Sequence, residues 1–91
     1  MKTFYFEKLD VWQDARAFVK NIYDITSDFP AEEKFGLVSQ LRRASISIPA
    51  NIAEGMSRGT EKDKARFINQ AFSSAIEVIN MLNSLYKKFE K

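Results

Sequence analysis

The segment Gln40–Gly55 constrains the fold most, because it carries a proline inside a pattern that is otherwise helical. At 100° per residue, its apolar and small side chains stay in phase on one helical face before and after Pro49. Proline removes the donor that would reach the Ser45 carbonyl and costs on the order of 3 kcal/mol in a helix interior. Since a broken chain would not need to keep phase, we predict one helix that bends at Pro49 and continues. The face consists of Leu37, Val38, Leu41, Ala44, Ser45, Ile48 and Ile52.

The same helix carries a second, weaker apolar strip on another side. A helix with apolar residues on two sides needs a packing partner for each of them. Three helices would leave this strip and part of the last helix uncovered, so we expect a partner's helix or a neighbouring subunit to cover them. The second strip consists of Phe35, Ile46, Ala50 and Ala53.

Two other segments repeat apolar residues at alternating spacings of four and three, which is typical of left-handed helix packing. Asp10 followed by Gln13 resembles a capping box at the start of the first helix, and Thr60 caps the last helix. Pro30 separates the first helix from the second. The predicted helices cover residues 11–28, 31–57 and 61–90.

Each outer helix presents a broad apolar stripe. In the first helix the stripe consists of Val11, Ala15, Phe18, Ile22, Ile25 and Phe29. A parallel stripe beside it consists of Trp12, Val19 and Thr26. In the last helix the main stripe consists of Ile68, Phe72, Ala75, Ile79, Leu82, Tyr86 and Phe89. Ala71, Val78 and Leu85 widen it on one side. Short connections and the lack of any strand pattern therefore predict an all-α, antiparallel up-down helical bundle.

The chain length favours association between copies. A single domain, residues 1–91, buries only about 60–65% of its unfolded surface and is marginally stable alone. The sequence contains no cysteine and no histidine, so disulfides and the usual zinc or iron ligands are excluded. Oligomerisation is then the source of added stability that we expect.

The composition argues against catalysis. Without His or Cys, the chain has no imidazole base and no thiolate nucleophile, and it carries no glycine-rich phosphate loop. We therefore predict a non-enzymatic protein with no catalytic residue, cofactor or metal site. No apolar run approaches the ~20 residues that cross a bilayer, and no charged-then-apolar leader opens the sequence. We expect a cytoplasmic location and no membrane contact.

Basic charge is concentrated in the second part of the chain. Residues 1–33 hold four Lys/Arg against seven Asp/Glu, whereas residues 34–91 hold ten against five. Such an excess can mark a face that binds a polyanion, and it also occurs on solvated surfaces with local pairs such as Glu54–Arg58. No base-reading module is evident, so any contact with RNA or DNA would be weakly sequence-specific. The candidate nucleic-acid-binding residues are Arg42, Arg43, Arg58, Lys62, Lys64 and Arg66.

Several short motifs together point to a family. They are Leu9-Asp-Val-Trp, Phe29-Pro, Gln40-Leu-Arg-Arg, Ser47 to Gly55 (SIPANIAEG), and Ala71, Ser74 and Glu77 at spacings of three. With them the chain resembles the four-helix-bundle proteins encoded in intervening sequences of bacterial large-subunit ribosomal RNA genes. It is also similar to the accessory variability determinant proteins of diversity-generating retroelements. The resemblance implies a ring-like homo-oligomer, a pentamer, with a basic surface able to contact nucleic acid.

The sequence departs from that family in two ways. Family members carry a fourth helix, for which no further apolar pattern is present here, and Ser73 stands where the family often has glycine. The resemblance also selects four polar residues, Arg43, Asn51, Glu54 and Glu77, that we expect to form a network across a subunit contact, the alternative being simple exposure. The candidate interface or motif residues are Phe35, Arg43, Ile46, Ala50, Asn51, Ala53, Glu54, Gly55, Ser74 and Glu77.

The functional prediction is an oligomeric scaffold or accessory protein that contacts RNA or DNA near the turn between the second and third helices. The alternative is a homo-oligomeric protein–protein interaction module, or a module for another protein partner, with no nucleic-acid role.

Overall fold

The computed structural model describes residues 5–34 and 36–90. A 3-10 helix (Tyr5–Lys8) is followed by α1 (Asp10–Thr26), α2 (Ala31–Lys34), α3 (Leu37–Met56) and α4 (Glu61–Phe89). The described residues form no strand, and three of the α-helices are long. The predicted all-α helical bundle with three long helices is therefore confirmed.

The central element of the fold is α3, against which both other long helices pack. Within the described part of the chain, no Cα atom of α1 comes within 8 Å of a Cα atom of α4. The outer helices are thus held together through α3 alone, and a groove between them stays open.

Two buried clusters make up the core. The first consists of Ile22, Leu41, Ala44, Val78 and Leu85, and the second of Ala15, Ile52 and Ala71. Along the chain, α1 runs from the second cluster to the first, α3 from the first to the second, and α4 from the second to the first. This alternation is the order that an up-down bundle would give, and the up-down arrangement itself stays a prediction.

Pro49 does not end α3, which continues as helix to Met56. Five of the seven residues of its predicted apolar face are buried, with Leu41 and Ser45 0% exposed, and Leu37 and Ile48 are half-buried. Side chains also bond carbonyls close to the proline. The Ser45 hydroxyl donates to the Arg42 carbonyl at 2.9 Å, and the Asn51 side-chain amide donates to the Ser47 carbonyl at 2.8 Å. The structure therefore shows a helix through Pro49 rather than a break.

The helix predicted over residues 31–57 is divided in two. The first part ends at Lys34 and α3 begins at Leu37, with Gly36 between them at φ −109° and ψ −103°, outside the helical region. Glycine in a helix interior costs about 1 kcal/mol relative to alanine. The interruption thus coincides with a residue of low helix propensity.

The expected capping box at the start of α1 is wrong, whereas the cap of α4 is confirmed. Asp10 is itself the first residue of α1, and the Gln13 side-chain amide donates to the Glu7 carbonyl at 2.9 Å instead of reaching a helix N-terminus. At the start of α4, the Thr60 hydroxyl accepts from the Asp63 amide at 3.1 Å.

Candidate functional site

The face of α4 that points away from the core carries large apolar side chains. This helix packs on α3 through the narrow row of Ala71, Val78 and Leu85, which are buried. Most of its main predicted stripe stays in solvent. The exposed fractions are 41% for Ile68, 65% for Phe72, 63% for Ile79 and 65% for Tyr86, and Ile76, which the stripe did not include, is 45% exposed. We call these five residues the α4 face.

The α4 face is also almost free of charge. Between Arg66 and Lys87, the single charged residue is Glu77. Solvent-exposed helix faces are usually rich in charged residues, whereas the centres of protein–protein interfaces are depleted in charge and enriched in aromatic side chains. The composition of the α4 face is that of an interface.

The open groove between α1 and α4 extends this apolar surface. It encloses about 360 Å³, and its lining is apolar apart from Asp14. The lining residues are Val11, Asp14, Ala15, Phe18, Ile48, Ile52, Ala75 and Ile79. Since Ile79 belongs both to this groove and to the α4 face, the two form one continuous surface.

The second strip of α3 lies at the surface where it is described. Ile46 is 43% exposed, Ala50 is exposed and Ala53 is half-buried. Phe35, the fourth predicted member, lies outside the described residues. The strip is smaller than the α4 face, because Ile46 is its one large side chain among those described.

Motif residues join α3 to α4 within the chain. The hydroxyl oxygens of Ser47 and Ser74 lie 2.6 Å apart, and the Ser47 oxygen also lies 2.7 Å from the Ala44 carbonyl oxygen. A serine hydroxyl has one proton. If Ser47 donates to the carbonyl, Ser74 donates to Ser47. This pair bridges the two helices at a half-buried position.

Gly55 allows the same two helices to approach closely. A Cβ atom at this position would lie 3.0 Å from the Phe67 Cβ and 3.3 Å from the Lys64 carbonyl oxygen. Gly59, in the turn that follows, has nothing within 4 Å of such an atom. The contact between α3 and the start of α4 therefore depends on the absence of a side chain at Gly55.

Within one chain, the four residues of the predicted polar network fall into two groups. Arg43 and Glu77 line the same groove of about 370 Å³ between α3 and α4, without an ion pair within 4.0 Å in the described residues. Asn51 bonds the carbonyl of Ser47 in its own helix, and Glu54 pairs with Arg58 at 2.7 Å. Arg43 and Glu77 are thus the two members that come together across helices.

Among the predicted nucleic-acid contacts, Arg42 binds the C-terminal end of α1. Its Nε donates to the Thr26 hydroxyl at 2.9 Å, its Nη2 donates to the Tyr23 carbonyl at 3.2 Å, and its guanidinium lies 4.3 Å from the Tyr23 ring centroid. The last turn of α1 has no basic residue of its own. A cation at a helix C-terminus offsets the negative end of the helix dipole, and Arg42 provides it from α3.

Four predicted cations lie in the α3–α4 turn and the first turns of α4, and most of them have a carboxylate partner. They are Arg58, Lys62, Lys64 and Arg66. Arg58 lies 2.7 Å from Glu54, Lys64 lies 3.9 Å from Glu61, and Arg66 lies 3.9 Å from Asp63. The guanidinium groups of Arg58 and Arg66 also lie 4.6 and 4.7 Å from the Phe67 ring centroid. Among the described residues, Lys62 is the member of this set without a carboxylate within 4.0 Å. The turn is therefore close to electrically balanced.

Sequence reasoning missed a basic surface on α1. Trp12, Arg16 and Lys20 recur every four residues on one flank of this helix and line an open groove of about 570 Å³. The signal was present in the spacing, but the net negative charge of residues 1–33 concealed it.

None of the described helices is long and apolar enough to cross a membrane.

Comparison with known proteins identifies the family. A search of curated proteins found no match to the chain. The family model described as 23S rRNA-intervening sequence protein matches residues 7–88, a range that includes every motif on which the resemblance depends. The chain therefore belongs to the 23S rRNA-intervening sequence protein family.

Proposed function

We propose that this protein is a non-enzymatic scaffold or accessory protein of the cytoplasm that acts as a homo-oligomer. The observation that carries the proposal is the α4 face, which is apolar, exposed and nearly free of charge. Apolar patches of this kind on soluble proteins mark interaction sites. A second copy of the chain is the simplest partner, because each copy carries both this face and the open groove beside it.

The size of the surface indicates that both parts take part in the contact. A helix of 29 residues is about 40 Å long at 1.5 Å per residue, and one helix face about 10 Å wide covers roughly 400 Å². A stable interface buries about 800 Å² per partner. The α4 face alone is too small for such a contact, so surface beside it, including the groove, must contribute.

The geometry of such a contact bears on the copy number. If the α4 face of one copy enters the groove of the next, the contact is heterologous, which gives a ring where the rotation between copies closes and a filament where it does not. The family resemblance suggests a pentamer, whose mass would be five times 10.5 kDa. This copy number is part of the proposal.

Light scattering on a sizing column tests the proposal. We expect the wild-type mass to be a multiple of 10.5 kDa, and Phe72→Glu with Ile79→Glu to lower it while circular dichroism still shows a helical protein. Gln70→Glu with Ser84→Glu is the matched control, because it places the same charges at exposed polar positions of α4. A wild-type mass of a single chain at high concentration would overturn the proposal, as would equal dissociation of the control.

The rival question is whether the oligomer also contacts nucleic acid through the α3–α4 turn. The carboxylate partners of Arg58, Lys64 and Arg66 favour the interaction module without such a role, since carboxylates this close lower the net positive charge that a phosphate would meet. Retention on a polyanion column at low salt that decreases when Arg58, Lys62 and Arg66 are changed to glutamate would favour the nucleic-acid role. No retention at low salt would favour the simpler module, and unchanged retention of that variant would exclude the turn as the contact.

A further inference from the structure

The groove on the outer flank of α1 combines aromatic and basic groups. It encloses about 570 Å³ and is lined by Glu7, Trp12, Gln13, Arg16, Ala17 and Lys20. Arg16 and Lys20 are exposed and Trp12 is half-buried. A shallower groove of about 250 Å³ continues from it toward Ile46 and Pro49 of α3, again with Arg16 and Lys20 in its wall. The two cations therefore stand between two concave surfaces.

The cations of this groove differ from those of the α3–α4 turn in their partners. In the described residues, no carboxylate lies within 4.0 Å of Arg16 or Lys20, whereas Arg58, Lys64 and Arg66 each have one. Asp14, on the same helix, lines the opposite groove toward α4. An unpaired cation gives up no ion pair when it binds an anion. Among the residues described, Arg16 and Lys20 are thus two neighbouring unpaired cations, whereas Lys62 is the one unpaired cation of the set at the turn.

The aromatic groups of this flank are arranged with the cations. The guanidinium of Arg16 lies 5.0 Å from the Trp12 ring centroid, and the Phe6 ring meets Trp12 edge-on at 5.2 Å between centroids. Tyr23 lies eleven residues further along the helix, about 16 Å at 1.5 Å per residue. The guanidinium of Arg42 lies over its ring, as that of Arg16 lies over Trp12. Lys20 lies between these two aromatic–arginine pairs.

We propose that this flank of α1 is a binding site for a single-stranded nucleic acid. Arg16 and Lys20 would contact neighbouring phosphates, and bases would stack on the Trp12–Arg16 pair. Sites that hold single strands combine cations along the backbone with aromatic and guanidinium planes for the bases. An acidic peptide would use the cations but leave the aromatic pair without a role, so the observations favour the nucleic acid. The site is separate from the α4 face and does not depend on assembly.

Trp12 provides a direct reading of the site, because it is the one tryptophan of the sequence. We expect a 12-nucleotide oligouridylate to quench Trp12 fluorescence at low salt. With two phosphates neutralised, the logarithm of affinity should fall with the logarithm of salt concentration with a slope of about 1.4. Arg16→Gln with Lys20→Gln should weaken binding by about tenfold or more and remove most of this slope. Glu7→Gln should strengthen binding, because it removes the one carboxylate of the lining.

Two controls make the experiment decisive. Arg58→Gln with Lys62→Gln removes the same charge from the α3–α4 turn and should leave the titration unchanged. Polyglutamate of equal charge, and an RNA duplex of equal length, should quench Trp12 much less. The proposal is overturned by an absence of quenching, by equal binding of polyglutamate or duplex, or by a larger loss in the turn variant than in the α1 variant. Light scattering on each sample separates a change of assembly from a change of binding.

Discussion

Helices α3 and α4 carry apolar stripes of the same kind, yet the structure treats them differently. Most of the predicted face of α3 is buried, while most of the main stripe of α4 is exposed and the residues that merely widened it, Ala71, Val78 and Leu85, form the contact. Two long helices pack on α3 but only one packs on α4 within the described part of the chain. An apolar pattern thus identifies a surface suited to burial, and the number of neighbouring helices decides how much of it is buried.

Truncating one large apolar side chain in each helix gives the largest expected difference. Leu41→Ala, at a fully buried position of α3, should lower the free energy of unfolding by about 3 kcal/mol because it leaves a cavity. Ile79→Ala, at a 63% exposed position of α4, should change it by less than about 0.5 kcal/mol in the unassembled chain. Urea denaturation at low protein concentration measures both. Equal losses would mean that the two faces are buried alike in solution.

A smaller effect is expected where α3 and α4 meet most closely. Gly55→Ala should destabilise the fold by about 1 kcal/mol, because the new methyl group meets Phe67 and a backbone carbonyl, and this outweighs the better helix propensity of alanine. Gly59→Ala is the matched control and should be neutral or slightly stabilising, since that position is open. Thermal unfolding of the two variants reports the difference. A stabilised Gly55→Ala protein would show that the helices can separate there without loss.

The smallest expected effect concerns the polar pairs across the two helices. A double-mutant cycle on Ser47 and Ser74, each changed to alanine, should give a coupling of about 0.5–1 kcal/mol for a half-buried hydrogen bond. The same cycle on Arg43 and Glu77 should give less than about 0.3 kcal/mol in the unassembled chain, because no ion pair joins them there. If the Arg43–Glu77 coupling rises on assembly, these residues belong to a subunit contact. A serine coupling near zero would contradict the bridge.

The sequence predicted the helices and the core of α3 well because these depend on local periodicity. The helical class and the passage of the helix through Pro49 follow from the spacing of apolar residues. The Thr60 cap follows from a side chain that bonds a backbone amide three residues away. The break beside Gly36 was missed, because the prediction followed the apolar pattern of α3 and gave no weight to the low helix propensity of glycine. An uncovered part of the last helix was expected, but which of its residues stay exposed could not be predicted, because burial depends on which helices meet.

The candidate nucleic-acid residues show the same limit. A list of cations in sequence order does not reveal which of them have carboxylate partners. Glu54, Glu61 and Asp63 are close enough in sequence to suggest the pairs of the turn. The role of Arg42 in α1, by contrast, joins positions sixteen residues apart, which helical periodicity cannot show.

That bond from Arg42 has a consequence for the order in which the molecule forms. Because α1 lacks a basic residue in its last turn, an isolated peptide of this helix would fray at its C-terminal end. The end becomes stable once α3 has docked and its guanidinium has reached Thr26 and the Tyr23 carbonyl. One side chain thereby makes the completion of the first helix depend on the arrival of the central one, so the two gain and lose their structure together.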